Sequence, residues 1–110
     1  MVAPDAGDII WINFSPQRGR EQAGKRPALI LTSKIYNNTT GLALACPITT
    51  KIKGYPFEVR ICGAKIDGAI LVDQIKCLDW RARHCDFAET APTETLSQAK
   101  LLLARLLAIS

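Results

Sequence analysis

Residues Arg18–Leu31 read RGREQAGKRPALIL: four cations around one carboxylate, two glycines, a proline, and then an uninterrupted apolar run. Gly19 and Gly24 give the backbone the freedom that a tight exposed loop needs. Pro27 fixes its own φ and pushes Arg26 toward an extended conformation, so the loop is expected to end with Arg26 at the mouth of a strand, Ala28–Thr32. A guanidinium held in this way suits a phosphate. A solvated basic hairpin would have the same composition, so the stretch alone does not decide between the two.

Working outward, Asp8–Phe14 on one side reads as a first strand buried on much of both faces. On the other side, Ser33–Gly41 carries Asn37, Asn38 and Gly41 and predicts one short helical turn followed by a loop. Leu42–Ile48 is a third strand, in which Pro47 implies an edge position or a bulge from which Thr49 and Thr50 emerge. Lys51–Pro56 is a basic turn with Tyr55 exposed, and Phe57–Ile61 alternates with Phe57, Val59 and Ile61 inward. Ala69–Val72, Ile75–Trp80 and a short piece around Cys85–Ala88 complete the strands. Pro92 suits the first position of a closing helix, with Leu96, Ala99, Leu103, Leu106 and Leu107 at helical spacing. Leu101, Leu102 and Ile109 widen that stripe, which fits either a well-buried helix or a dimer contact. Six or seven short strands and one terminal helix make a mainly β domain, and 110 residues with 48% hydrophobic content suffice for one domain and one core.

Charge is divided unevenly. Arg18–His84 holds twelve Lys/Arg against five Asp/Glu, a net of +7, while the remainder holds two against five, a net of −3. A polyanion partner across the body of the domain follows from that pattern. Cys46, Cys62, Cys77 and Cys85 form no C-x-x-C pair and accompany a single His84, which argues against a zinc site. Cys46, Cys62 and Cys77 are expected to behave as small buried hydrophobes. Met1–Ala6 lacks the pattern of a signal peptide, and no apolar stretch approaches the ~18 residues of a membrane span, so a cytoplasmic protein is expected.

The basic stretch, together with GDIIWINF (Gly7–Phe14), CPITT (Cys46–Thr50), KGYPFEV (Lys53–Val59) and DQIKCLDWRAR (Asp73–Arg83), resembles the MazF/PemK family of bacterial toxin ribonucleases. The resemblance covers nearly the whole chain in order. It implies a small SH3-like barrel, a homodimer with an RNA groove across the subunits, and cleavage of single-stranded RNA. The products would be a 2′,3′-cyclic phosphate and a 5′-hydroxyl, with no cofactor, at short, ACA-like sites. Arg26, Thr49 and Glu21 match the family's catalytic positions. Arg26 would stabilise charge on the phosphorane, Thr49 would donate to the same phosphate, and Glu21 would serve as general base or orient the guanidinium. Protonation of the leaving oxygen stays open, because a guanidinium with a pKa above about 12 is a poor acid. Lys25 stands where some members have a histidine, so the charge is kept and imidazole shuttling is lost.

For RNA binding, Arg18, Arg20 and Lys25 lie in the loop, and Tyr55 is the stacking candidate, with Trp11 and Trp80 assigned to the core or a dimer contact. By resemblance Lys53, Gln74 and Lys76 line the binding region, joined by Asn37, Lys51 and Arg83. A cognate, MazE-like antitoxin with an acidic, apolar tail would thread the same groove. The related CcdB-type barrel, which binds gyrase and cuts nothing, lacks the EQAGKRP loop and CPITT. A plain nucleic-acid-binding barrel would instead bind many strands in a salt-dependent way without cleavage.

Overall fold

The computed structural model describes residues 2–14 and 24–109. Strand β1 (Asp8–Asn13) alternates between two cores, burying Ile9 on one side and Ile10 and Ile12 on the other. Its antiparallel partner β2 (Lys25–Ile30) divides in the same way, Leu29 to the first core and Ala28 and Ile30 to the second. That division is why both strands read as nearly continuous apolar runs. β2 begins at Lys25 rather than Ala28, so Arg26 lies within the strand.

After β2 the chain forms a complete helix, α1 (Lys34–Thr40), where a single turn was expected. Both of its ends are specified locally. The Ser33 hydroxyl accepts the Tyr36 N–H at 3.4 Å, and Gly41 adopts a left-handed φ of 76° and donates to the Asn37 carbonyl at 2.9 Å. Then follow β3 (Leu42–Thr49), β4 (Glu58–Cys62), β5 (Asp67–Leu71), a 3₁₀ turn (Val72–Gln74), β6 (Lys76–Asp79), β7 (Asp86–Thr90) and α2 (Thr93–Leu106). Among the described residues the strands run β4-β5-β3-β2-β1-β7, with β6 also on β3.

β3 is the centre of the sheet, which corrects the edge position inferred from Pro47. It pairs with β2 along one side and on the other first with β6, through Leu42–Ala45, and then with β5, through Ile48 and Thr49. Cys46 and Pro47 fall where the neighbour changes. Two further expectations are corrected. Cys62 and Cys77 occupy outward positions of β4 and β6 and are exposed, because Ile61 and Leu78 take the inward ones. Cys46 is buried, and burial together with the Asp73 charge pushes its thiol up to about 12.

α2 lies over the first core, which includes Ile48, Ile61 and Ile70, and packs against β4 and the 3₁₀ turn. Ala99 has no accessible surface, and Leu96, Leu102 and Leu103 flank it. Full burial of one such Ile or Leu contributes about 1.5–3 kcal/mol. Pro92 serves as N-cap, one position earlier than expected, its carbonyl accepting the Thr95 N–H at 3.0 Å. Leu101, Leu106, Leu107 and Ile109 are exposed, so the inferred stripe is only half used within one chain.

The two ends of the strand order are joined by a carboxylate. Glu89 on β7 accepts the backbone N–H groups of Ala64, Lys65 and Ile66, in the β4–β5 turn, at 3.0, 2.8 and 2.6 Å. Gly63 permits this approach, since a Cβ there would lie 2.7 Å from a Glu89 carboxylate oxygen. Burial opposes the Glu89 charge, but the amides of Lys65, Ile66 and Ala64 outweigh it and hold the carboxyl below its ordinary value. A lowered carboxyl pKa stabilises the fold above the ordinary value of 4.5 and loses that contribution as pH falls through the lowered one. Glu89→Gln is therefore expected to cost on the order of 1 kcal/mol at neutral pH, allowing for solvent screening. In thermal melts the gap between the two proteins should close on acidification; a gap independent of pH would contradict this role.

Candidate active site

Two prolines shape the mouth between β2 and β3. Leu31 N–H donates to the Leu44 carbonyl at 2.9 Å, which makes Leu29 and Cys46 a hydrogen-bonded pair and Ala28 and Pro47 a non-hydrogen-bonded one. The Pro47 nitrogen thus faces away from β2, toward the changeover between β6 and β5, and removes no bond from the β2–β3 ladder. Pro27 has the opposite effect. Phe14 N–H donates to Gly24 at 2.9 Å, so in the β1 register the Pro27 nitrogen turns toward β3 and has no hydrogen to give. Pairing of β2 with β3 ends at Ala28 and Pro47. The same register continued places Arg26 across from Thr49, as a pair of the kind whose side chains lie closest.

Arg26 and Thr49 border a common cleft of about 270 Å³, together with Trp11, Lys65, Ile66 and Asp67. Thr49 also borders a second cleft of about 660 Å³, with Lys51, Lys53, Tyr55, Asp73 and Gln74. It is the hinge between the two. The Thr49 hydroxyl oxygen accepts the Lys51 N–H at 3.1 Å, which leaves its proton to be donated to a ligand. Tyr55 is 45% exposed; its ring lies 5.1 Å from that of Phe57, with the Lys53 ammonium 5.6 Å from its centre. The turn beneath is tied by Glu58, whose carboxylate accepts the N–H groups of Lys53 and Gly54 at 3.3 and 3.1 Å.

The other sequence candidates divide. Arg18, Arg20 and Glu21 lie outside the described residues. Lys25 borders the smaller cleft and pairs with Asp86 at 2.8 Å, both side chains being largely exposed. That pair holds the Asp86 carboxyl below its ordinary value, chiefly through the Lys25 hydrogen bond. Lys76 is half-buried on β6 opposite Ala45 and borders neither cleft. Arg83 donates to the Asn13 carbonyl at 2.8 Å. Asn37 is fully buried: its amide donates to the carbonyls of Pro4 and Thr32 at 2.8 and 2.9 Å, and its oxygen accepts the Thr32 hydroxyl at 2.6 Å. These bonds make Asn37 a structural residue. Trp80 is buried and donates to the Asn37 carbonyl at 2.9 Å, whereas Trp11 is 38% exposed beside Arg26.

Lys65 and Asp73 border the two clefts and were not among the sequence candidates. Both sit in polar interruptions between strands, and only the β3–β5 pairing carries the β4–β5 turn to Arg26. Among the described residues no group of three or more His, Cys, Asp or Glu could hold a metal ion, and no helix is long and apolar enough to cross a membrane.

A mainly β half-barrel sheet with a C-terminal helix, with Arg26 and Thr49 at one strand mouth and an aromatic, lysine-lined cleft beside it, is the architecture of the small toxin-barrel class. The chain belongs to the PemK-like, MazF-like toxin family of type II toxin-antitoxin systems, whose family model matches residues 5–107. It is 50% identical over 97 residues to the endoribonuclease toxin MazF of Escherichia coli strain K12, covering 88% of this chain and 87% of that one. Its fold matches crystalline MazF from Deinococcus radiodurans with a TM-score of 0.92 and 45% identity, over 96% and 97% of the two chains. A MazE–MazF crystal structure from the same organism matches with a TM-score of 0.86 and 40% identity, over 98% of each chain.

Proposed function

We propose that this chain is the endoribonuclease toxin of a toxin-antitoxin pair and cuts single-stranded RNA at a phosphate held between Arg26 and Thr49. The observation that carries this reading is the opened β2–β3 mouth, which sets a guanidinium across from a hydroxyl beside a cleft suited to bases. The RNA supplies its own nucleophile. The 2′-oxygen gives up its proton and attacks phosphorus, the bond to the 5′-oxygen breaks, and that oxygen takes a proton from solvent, so that the products are a 2′,3′-cyclic phosphate and a 5′-hydroxyl. Arg26 neutralises the charge that accumulates on the phosphorane, and Thr49 donates to a non-bridging oxygen. Glu21 takes the 2′-proton or orients Arg26. Lys51 and Lys53 hold the strand on one flank and Lys25 on the other, and Arg18 and Arg20, which precede Lys25 in the sequence, add charge to the RNA contact.

In the same reading the protein acts in the cytoplasm on messenger RNA, at a short, ACA-like motif, and as a homodimer. The exposed Leu101, Leu106, Leu107 and Ile109 supply apolar surface for a second copy. A MazE-like antitoxin silences it by laying an acidic, apolar tail along the cationic cleft.

The test is incubation of the purified chain with a long unstructured RNA in EDTA, followed by sequencing of the ends. Cuts at one short motif with 5′-hydroxyl ends are expected, and a single 2′-deoxynucleotide at the cut should abolish them. Binding without cutting, or cutting of the deoxy substrate, would overturn the reading.

A further inference from the structure

The larger cleft contains a group that a polyanion site should avoid. Two carboxylates border it, Glu58 and Asp73, among Lys51, Lys53, Tyr55 and Gln74. Glu58 is spent on the N–H groups of Lys53 and Gly54. Asp73, in the 3₁₀ turn Val72–Gln74, is exposed, and among the described residues its carboxylate has no hydrogen bond or ion pair. A bare carboxylate beside RNA phosphates repels them, an effect that salt screens only in part over a few ångströms. Lys51 and Lys53 offset part of that repulsion, and a ligand that brings a donor to the Asp73 oxygen turns the contact into an attractive one.

RNA carries such donors on its bases. Adenine and cytosine present an exocyclic amino group, and guanine presents one next to a ring N–H; uracil presents two carbonyls around a single N–H. Tyr55 supplies the face against which a base can stack, held by Phe57 and Lys53. Thr49, which borders the same cleft, fixes the distance to the reacting phosphate. We propose, on the basis of the nuclease reading, that Asp73 is a specificity-determining residue: it accepts a hydrogen bond from the exocyclic amino group of a base stacked on Tyr55 next to the cut, and thereby rejects uracil at that position.

The test compares wild type, Asp73→Asn and Asp73→Ala on a random-sequence RNA pool by sequencing cut ends. Wild type should exclude uracil at one position beside the cut. Asp73→Asn, whose amide donates as well as accepts, should admit it there, the preference for an amino-bearing base falling about tenfold while neighbouring positions keep theirs. Asp73→Ala, which neither donates nor accepts, should cut with no preference among bases at that position, uracil included. An unchanged motif in both variants overturns the proposal. So does a uniform loss of rate at every site by variants that melt as wild type does, which would place Asp73 in the chemistry. Binding of short oligo(A), oligo(C) and oligo(U) at fixed salt reads the same preference without cleavage. A chain that binds selectively but does not cut would remove the nuclease reading and leave the role of Asp73 intact.

Discussion

Arg26→Ala is expected to reduce single-turnover RNA cleavage by about 10²–10³-fold, the usual cost of removing one preorganised donor from a developing oxyanion. Fold and RNA binding should change little. Arg26 is only half-buried and lies beyond the last paired residues of β2 and β3, so its removal opens no core. Binding persists because Lys51, Lys53 and Tyr55 border the neighbouring cleft rather than the mouth itself. Arg26→Lys should recover only part of the rate, since an ammonium carries the charge but lacks the planar fork that holds two phosphate oxygens. The decisive comparison is the cleavage rate at saturating protein against the dissociation constant for the same RNA. Retained cutting by a folded Arg26→Ala protein would remove Arg26 from the mechanism.

Asn37→Ala should behave in the opposite way, with a loss of about 2–4 kcal/mol of stability. The side chain is buried and its three hydrogen bonds join Pro4, Thr32 and α1, while its main-chain carbonyl receives the Trp80 indole. Alanine would strand the Pro4 and Thr32 carbonyls away from water and leave a cavity beneath Trp80. The melting temperature should fall by roughly 10 °C or more. Below that temperature, RNA affinity should match wild type, because Asn37 borders neither cleft. An unchanged melting temperature with weakened RNA binding would return Asn37 to the binding surface.

Asn37 also shows where a reading of the chain stops. In SKIYNNTTG it has the look of a polar loop residue, and only the contacts of the N-terminal segment and Trp80 with α1 reveal that it is enclosed. Lys76 and Arg83 illustrate the same limit from the other side. Their residue types suit RNA, yet β6 holds Lys76 against β3, and Arg83 reaches back to β1. Lys51, Lys53, Tyr55 and Gln74 lie in a basic turn and a polar interruption that flank well-patterned strands, and all four border one cleft.

Local chemistry determined much of this protein directly. Alternation and turn residues located the strands to within a few positions, the helical spacing from Leu96 marked α2, and Pro27 announced a strand mouth with Arg26 beside it. Each of these depends on neighbours within a few residues. Tertiary structure alone decided the rest: that Pro47 stands mid-sheet where β3 exchanges β6 for β5, that Glu89 joins β7 to the β4–β5 turn, and that Thr49 and Asp73 share a cleft. Those relations arise from pairing between segments distant along the chain. Period-two alternation settles which face a residue takes and leaves its cross-strand partner open.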